Sequence, residues 1–453
     1  MKNKHLIPFL LLPFFVVPTA QAEINLIGIG QVSGTYQDMT TKTAAQLENG
    51  VAGNLLGGVG SGLAYAGGNT FLAIPDRGPN ATAYNPAVDD TASYITRFQT
   101  FSLSLAPNPG YDSLVVGSLP YIVSPFLTDT TLLSSKTRLA YGVNGAPQLN
   151  REEKFYFSGR SDNFDATKPS TNPQDGRLDP EGIRVSNDGK SVFITDEYGP
   201  YVYQFDRNSG KRLKAFTLPA YYAITQLSSV GATEISGNTS GRIANKGMEG
   251  LAITPNGTTL VGMMQQNLIQ DKKKFLRIIT IDITTGLTHE YAYQLTDGTS
   301  VSDILAINEH EFLVDERDGS GLGNGDAAVV KKLYKIDLTG ATDITGVTAL
   351  TTANLGSITL VQKHEFLNVL ASLNANGITA DNIPAKLEGV AFGPDLVIKG
   401  VNKHTLFIAN DNDFLPSVGG INNPNQFFVF SIDESDLNSF VPQQIVQSTH
   451  NDD

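Results

Sequence analysis

One unit recurs along this chain, and its recurrence limits the fold more than any single segment does. Each copy opens with a polar or acidic residue and a short alternating strand. A turn, a second strand ending in acids, and a third strand follow. The clearest copy reads Glu181-Gly182-Ile183-Arg184-Val185, then Asp188-Gly189, then Ser191 to Glu197, then Tyr201 to Asp206. Glu249-Gly250-Leu251-Ala252-Ile253 opens a second copy, Asp303-Ile304-Leu305-Ala306-Ile307 a third, and Glu388-Gly389-Val390-Ala391-Phe392 a fourth. Ser61-Gly62-Leu63-Ala64-Tyr65 opens the weakest one.

Runs of five to seven residues alternating at period two read as half-buried strands, and Asp-Gly or Asn-Gly between two runs reads as a tight hairpin. Repeated antiparallel units with no helical periodicity between them predict an all-β fold, a β-propeller, over a sandwich or two stacked β domains. The openers stand at 61, 181, 249, 303 and 388. The interval of 120 residues between the first two predicts a hidden, divergent blade around 110–160. Six blades are therefore expected, with five or seven as the alternatives. The strand Ile24 to Val32 is placed to close the ring in a terminal blade.

Lys2 and Lys4, the apolar run Leu6 to Val17 and the small-x-small site Ala20-Gln21-Ala22 have the layout of a secretory signal peptide. The run is short for a membrane span and is broken by Pro8 and Pro13. Residues 1–22 are read as the signal, 23–453 as a single propeller domain, and the location as periplasmic or secreted. The chain has no Cys, which excludes disulfides, thiolate metal sites and Cys nucleophiles. Its formal net charge of −13 argues against binding a nucleic-acid backbone and favours cation binding, or solubility with nothing more to it. A monomer acting on a small molecule is the expectation, with no membrane span.

A propeller brings equivalent positions of its blades together around one axis. Glu181, Glu249, Asp303 and Glu388 stand at one position of the repeat. A second acidic set follows the second strand: Asp76, Asp196 with Glu197, Asp315 with Glu316, and Asp411 with Asp413. Carboxylates crowded at one channel mouth repel unless a cation compensates, and hard oxygen donors without His or Cys suit Ca²⁺ or Mg²⁺. The same residues have a structural reading, because an Asp after a strand caps turns through its own backbone. Arg77, Lys246 and Arg317 recur among the acids, and mixed acid and base at one mouth suits a metal-assisted site for an anionic substrate. No Gly-x-Ser-x-Gly elbow occurs, and none of the six His lies in the repeat, which disfavours a serine esterase or a His-based site.

Asp179-Pro180-Glu181-Gly182, Asp196-Glu197-Tyr198-Gly199-Pro200, Asn245-Lys246-Gly247-Met248-Glu249-Gly250, Glu316-Arg317-Asp318 and Leu387-Glu388-Gly389-Val390-Ala391 together resemble the bacterial exported phytase-like family with esterase-like activity. The resemblance implies a β-propeller related to the propeller phytases, which hydrolyse phosphomonoesters with Ca²⁺. It is similar in outline to metal-dependent propeller lactonases, where a Glu-Gly at a blade start supplies a ligand. The expected function is an exported, Ca²⁺-dependent ester hydrolase, a phosphomonoesterase before a carboxylesterase. Glu181, Glu249, Asp303 and Glu388, with Asp196 and Asp411, would hold cations. Arg77, Lys246 and Arg317 would stabilise substrate charge, and Glu316 or Glu197 would act as base. A non-catalytic propeller binding a partner, and a lactonase, are the competing readings.

Overall fold

The Gly of each hairpin marked in the sequence takes the left-handed conformation its tight turn requires, φ +71° at Gly189 and +73° at Gly257. Those turns join the first two strands of two blades. The computed structural model describes residues 24–79 and 92–446, and the strands within them form five antiparallel blades, four of four strands and a fifth to which the short strand Leu396–Ile398 is added. Blade one contains Gly62–Tyr65, Thr70–Ile74, Arg97–Pro107 and Tyr121–Leu132. Blade two contains Pro180–Val185, Ser191–Asp196, Tyr201–Asp206 and Arg212–Phe216. Blade three contains Met248–Ile253, Thr259–Met264, Phe275–Asp282 and Thr288–Gln294. Blade four contains Ser300–Ala306, Glu311–Arg317, Lys331–Asp337 and Gln362–Asn368. In blade five, Lys386–Phe392, Val401–Asp411 and Asn425–Asp433 are joined by Asn25–Val32, which pairs antiparallel to Asn425–Asp433. The early strand thus closes the ring, as expected.

The count is five, not six. The long interval after the first opener holds the outer hairpin of blade one and an excursion over residues 133–179 with only two-residue strands, Ser134–Ser135 and Phe155–Tyr156. The signal-peptide segment 1–22 lies outside the described residues, and no helix among them is long and apolar enough to cross a membrane.

The inner strands are also buried more completely than half-buried alternation implies. Every residue of Pro180–Val185, Ser191–Asp196 and Met248–Ile253 is buried. The reason is that each sheet is covered on both faces by its neighbours. Leu72, Ile74 and Phe98 pack against Ile183, Ile194 and Tyr203 between blades one and two. Phe193 and Val202 meet Leu251 and Ile279 between two and three, and Val261 and Ile278 meet Ile304 and Phe312 between three and four. Leu313 and Leu333 meet Leu406 and Phe428 between four and five. Phe71 and Phe101 meet Phe407 and Phe427 between five and one, which completes the circle.

The recurrent Gly of the inner strands serves this ring. A Cβ at Gly389 would lie 2.7 Å from Leu63 N and 2.8 Å from Gly62 C, and one at Gly250 would lie 2.8 Å from Ile304 N. The neighbour in each case is backbone of the next inner strand, which cannot move aside cheaply. Gly389→Ala should therefore cost about 1–3 kcal/mol or more. A urea midpoint equal to wild type would show that the blades can move apart at no cost.

Candidate active site at one end of the channel

Four of the five inner strands carry a bulge where they approach the axis: around Glu181-Gly182, at Glu249, around Ser302-Asp303 and around Glu388-Gly389. The bulge locally breaks alternation, so neighbouring residues project to different depths in the channel. In blade four Ser302 takes the Glu position, and Asp303 stands where the other blades have Gly. The sequence equates Asp303 with the three glutamates; the structure sets it one residue off.

That offset gives Asp303 a different role. Its carboxylate pairs with Arg184 at 2.9 Å, both groups being buried. It also accepts hydrogen bonds from Ile304 N at 2.8 Å, Val390 N at 3.0 Å and Leu251 N at 3.4 Å. Arg184 donates to the carbonyls of Leu63 at 2.7 Å, Ile183 at 2.6 Å and Ile304 at 2.8 Å. One ion pair therefore ties the inner strands of all five blades together. Asp303 is a tie at the waist of the channel, not a residue of its mouth.

Above this waist lies a cavity of about 330 Å³ lined by seven carboxylates and four cations: Asp76, Glu181, Glu197, Glu249, Glu388, Asp411 and Asp413 with Arg77, Lys246, Arg317 and Lys386. The opposite end of the channel is lined by Leu63, Val185, Ile253, Leu305, Ala391 and other mainly apolar residues. A C-terminal segment crosses there, with Val441 N donating to Ile307 O at 2.8 Å and Gln443 Nε2 to Val185 O at 2.8 Å. The charged chemistry is thus confined to one end.

Blade five supplies Lys386, whose Nζ bonds Asp411 at 2.8 Å and also pairs with Asp413. Burial works against the ammonium, but Asp411 and Asp413 hold it protonated, well above the ordinary lysine range. Asp411 is pushed up to about 6 by burial, with Lys386 pulling the other way. Arg317 of blade four donates from Nε to Ser302 Oγ at 2.5 Å and forms a buried pair with Glu388. On the far wall Arg77 Nη1 reaches Asp179 at 2.9 Å and Asn245 Oδ1 at 2.5 Å. Glu197 accepts from Gly247 N at 3.0 Å, and burial raises its carboxyl above the ordinary range. Gln265 Nε2 donates to Glu249 Oε1 at 2.7 Å. Burial first, then Glu249, Asp179, Glu197 and Glu388, raise the Glu181 carboxyl well above the ordinary range. Burial and Glu197 do the same to Glu249.

Of the residues singled out in the sequence, the cavity gathers Arg77, Glu181, Glu197, Lys246, Glu249, Arg317, Glu388 and Asp411. It does not gather Glu316, Asp196 or Asp303. Glu316 faces away from the channel, where its carboxylate accepts from Tyr293 OH at 2.6 Å, from the amides of Thr296, Asp297 and Gly298, and pairs with Lys363. It clamps the turn into blade four and is placed to do no chemistry at the mouth. Asp196 accepts from Asp179 N at 3.1 Å and Tyr198 N at 3.0 Å, which is the turn-capping role, and burial raises it to about 7. Lys386, Asp179 and Gln265 were not singled out as site residues. Lys386 and Asp179 each precede a glutamate of the repeat by two positions, so the spacing Lys386-x-Glu388 and Asp179-x-Glu181 was the signal for both.

Over residues 54–414 the chain matches the model of the phytase-like family, described as esterase-like activity of phytase. The chain belongs to the phytase-like family. An uncharacterized secreted protein of Arthroderma benhamiae is 29% identical over 328 residues, 59% of this chain, and the match spans 60% of that relative's length. Among solved structures, the periplasmic gluconolactonase of Pseudomonas aeruginosa aligns with 10% identity and a TM-score of 0.32, over 90% of this phytase-like chain and 98% of its own. The calcium-binding protein regucalcin from Agrobacterium tumefaciens aligns at 8% identity and a TM-score of 0.32, over 93% and 99%.

Proposed function

We propose that this phytase-like chain is an exported, metal-dependent ester hydrolase that acts on an anionic ester, a phosphomonoester first, at the acidic end of its channel. The observation that carries the proposal is the cavity itself, where seven carboxylates outnumber four cations in a buried space. Such a surplus is costly unless protons or a dication compensate it. The donor set fits a hard dication: it is all oxygen, and Glu249 Oε2 and Gln265 Oε1 are buried with no hydrogen-bond donor. Bound there, Ca²⁺ or Mg²⁺ would supply Lewis-acid polarisation of the ester and neutralise part of its charge.

The chain's own residues divide the remaining work. Arg317 and Lys386 hold the anionic group of the substrate, and their positive charge meets the negative charge that grows on its oxygens in the transition state. Arg77 and Lys246 do the same from the opposite wall. Glu197, raised by burial, takes the proton of the attacking water. The secretory layout of residues 1–22 and the secreted relative support export.

The test is turnover of an aryl phosphate, an aryl carboxylate ester and a panel of lactones, each with Ca²⁺ and after EDTA. The expected result is phosphate release that EDTA abolishes and Ca²⁺ restores. A rise in melting temperature with Ca²⁺ but no turnover of any ester would leave only a binding propeller. Turnover confined to lactones would move the chain to the lactonase class.

A further inference from the structure

The carboxylates of the mouth form two groups, one contributed by blades one and five and one by blade two and the segment leading into it, and the two differ in their ion pairing. Asp76, Asp411 and Asp413 place ligand atoms within 4.8 Å of one another, as do Asp179, Glu181 and Glu197. In the first group Lys386 bonds both Asp411 and Asp413, while Gly78 N donates to Asp76 Oδ1 at 2.9 Å and Asp413 N to Asp411 Oδ1 at 2.6 Å. That side already contains a cation that the chain itself supplies.

The wall formed by blades two and three differs. No Lys or Arg forms an ion pair with Glu181, Glu197 or Glu249 among the described residues; the pair made by Arg77 on this wall goes to Asp179. Glu249 is 2% exposed and Gln265 6% exposed, yet Glu249 Oε2 and Gln265 Oε1 receive no donor, and both residues line the cavity. Buried acceptors left this way cost about 1–3 kcal/mol each, more for a charged group.

Resting on the metal-dependent reading above, we propose that one dication binds on the wall of blades two and three, held by Glu181, Glu249 and Gln265 with Glu197 left free beside it as the base, and that the Lys386 ammonium occupies the corresponding place on the blade-five wall. The borrowed dication then faces the built-in ammonium of Lys386, in addition to the charges of Arg77, Lys246 and Arg317. A substrate anion is gripped between dication and ammonium, with Arg317 beside it.

Calorimetric titration of the EDTA-stripped chain with Ca²⁺ reads this directly, without reference to activity. Wild type should bind one Ca²⁺. Glu181→Gln and Glu249→Gln keep side-chain volume and should each weaken binding at least tenfold, while Asp76→Asn and Asp413→Asn should change it less than threefold. Lys386→Met strips the first group of its cation and should raise the stoichiometry from one ion to two. Loss of binding in Asp413→Asn with normal binding in Glu249→Gln would overturn the placement and leave metal dependence standing. A count of one in Lys386→Met would overturn the role given to the lysine. If wild type takes up no Ca²⁺ at all, metal dependence itself is what fails. Melting curves of each variant report that it has folded.

Discussion

Arg317→Ala should lower kcat/KM on an aryl phosphate at least tens-fold while the chain still unfolds cooperatively. Its guanidinium is buried, fixed by Ser302 on one side and Glu388 on the other, and lines the cavity that would receive the anion. Removing one preorganised donor to a developing oxyanion typically costs 10²–10³ in rate. Part of the change will also appear in stability, because Glu388 is left buried without its cation. Arg317→Lys separates the two effects: a charge remains beside Glu388, but the rigid fork is lost. Activity should therefore stay low in Arg317→Lys while the urea midpoint recovers. Glu249→Gln should also lose turnover at least tens-fold. Wild-type rates in both Arg317→Ala and Glu249→Gln would remove the site from this end of the channel.

Asp303→Ala should have the largest effect on stability. It leaves Arg184 charged, enclosed and short of its carboxylate, and frees the amides of Val390 and Ile304 in the interior. Breaking one partner out of a buried pair costs about 3–5 kcal/mol. Asp303→Asn keeps an acceptor for those amides and should cost less. Calcium uptake should persist in any Asp303 variant that folds, because the carboxylate points into the waist and not into the mouth. Unchanged stability with abolished uptake would restore the ligand role that the repeat alone assigns to this residue.

The repeat made most of the architecture legible, since each opener marks an inner strand. Blade number was not, because the long interval between Ser61 and Glu181 contains no opener and length alone cannot tell a degenerate blade from an enlarged one. At the site the difficulty was one of direction. Residues adjacent in a strand face opposite ways, so an acidic run cannot act as a unit. Arg317 enters the cavity and Glu316 leaves it; Glu197 enters and Asp196 turns back to cap its own loop. Asp411 and Asp413 share one side, and Asn412 between them donates from Nδ2 to Asn423 O at 3.0 Å and accepts from Gly58 N at 2.9 Å. The same parity finds Lys386 from Glu388. Asp303 escaped it because, within the bulge these inner strands share, it aligns with the Gly of the other openers while Ser302 aligns with their Glu.

The seam of blade five has a temporal consequence. Asn25–Val32 is made about 400 residues before its partner Asn425–Asp433. At about 5–20 residues per second the early strand would wait roughly 20–80 s before its mate exists. An orphan strand edge invites promiscuous pairing. Here Gly28 and Gly30 fill two of its eight positions, a composition that weakens a strand on its own but is demanded once Val123 closes over it. The segment is thus poorly adhesive while it is alone, fits beneath Val123 of blade one, and gains its hydrogen-bonding partner only when the last blade arrives, so that the ring is sealed late and by the correct edge.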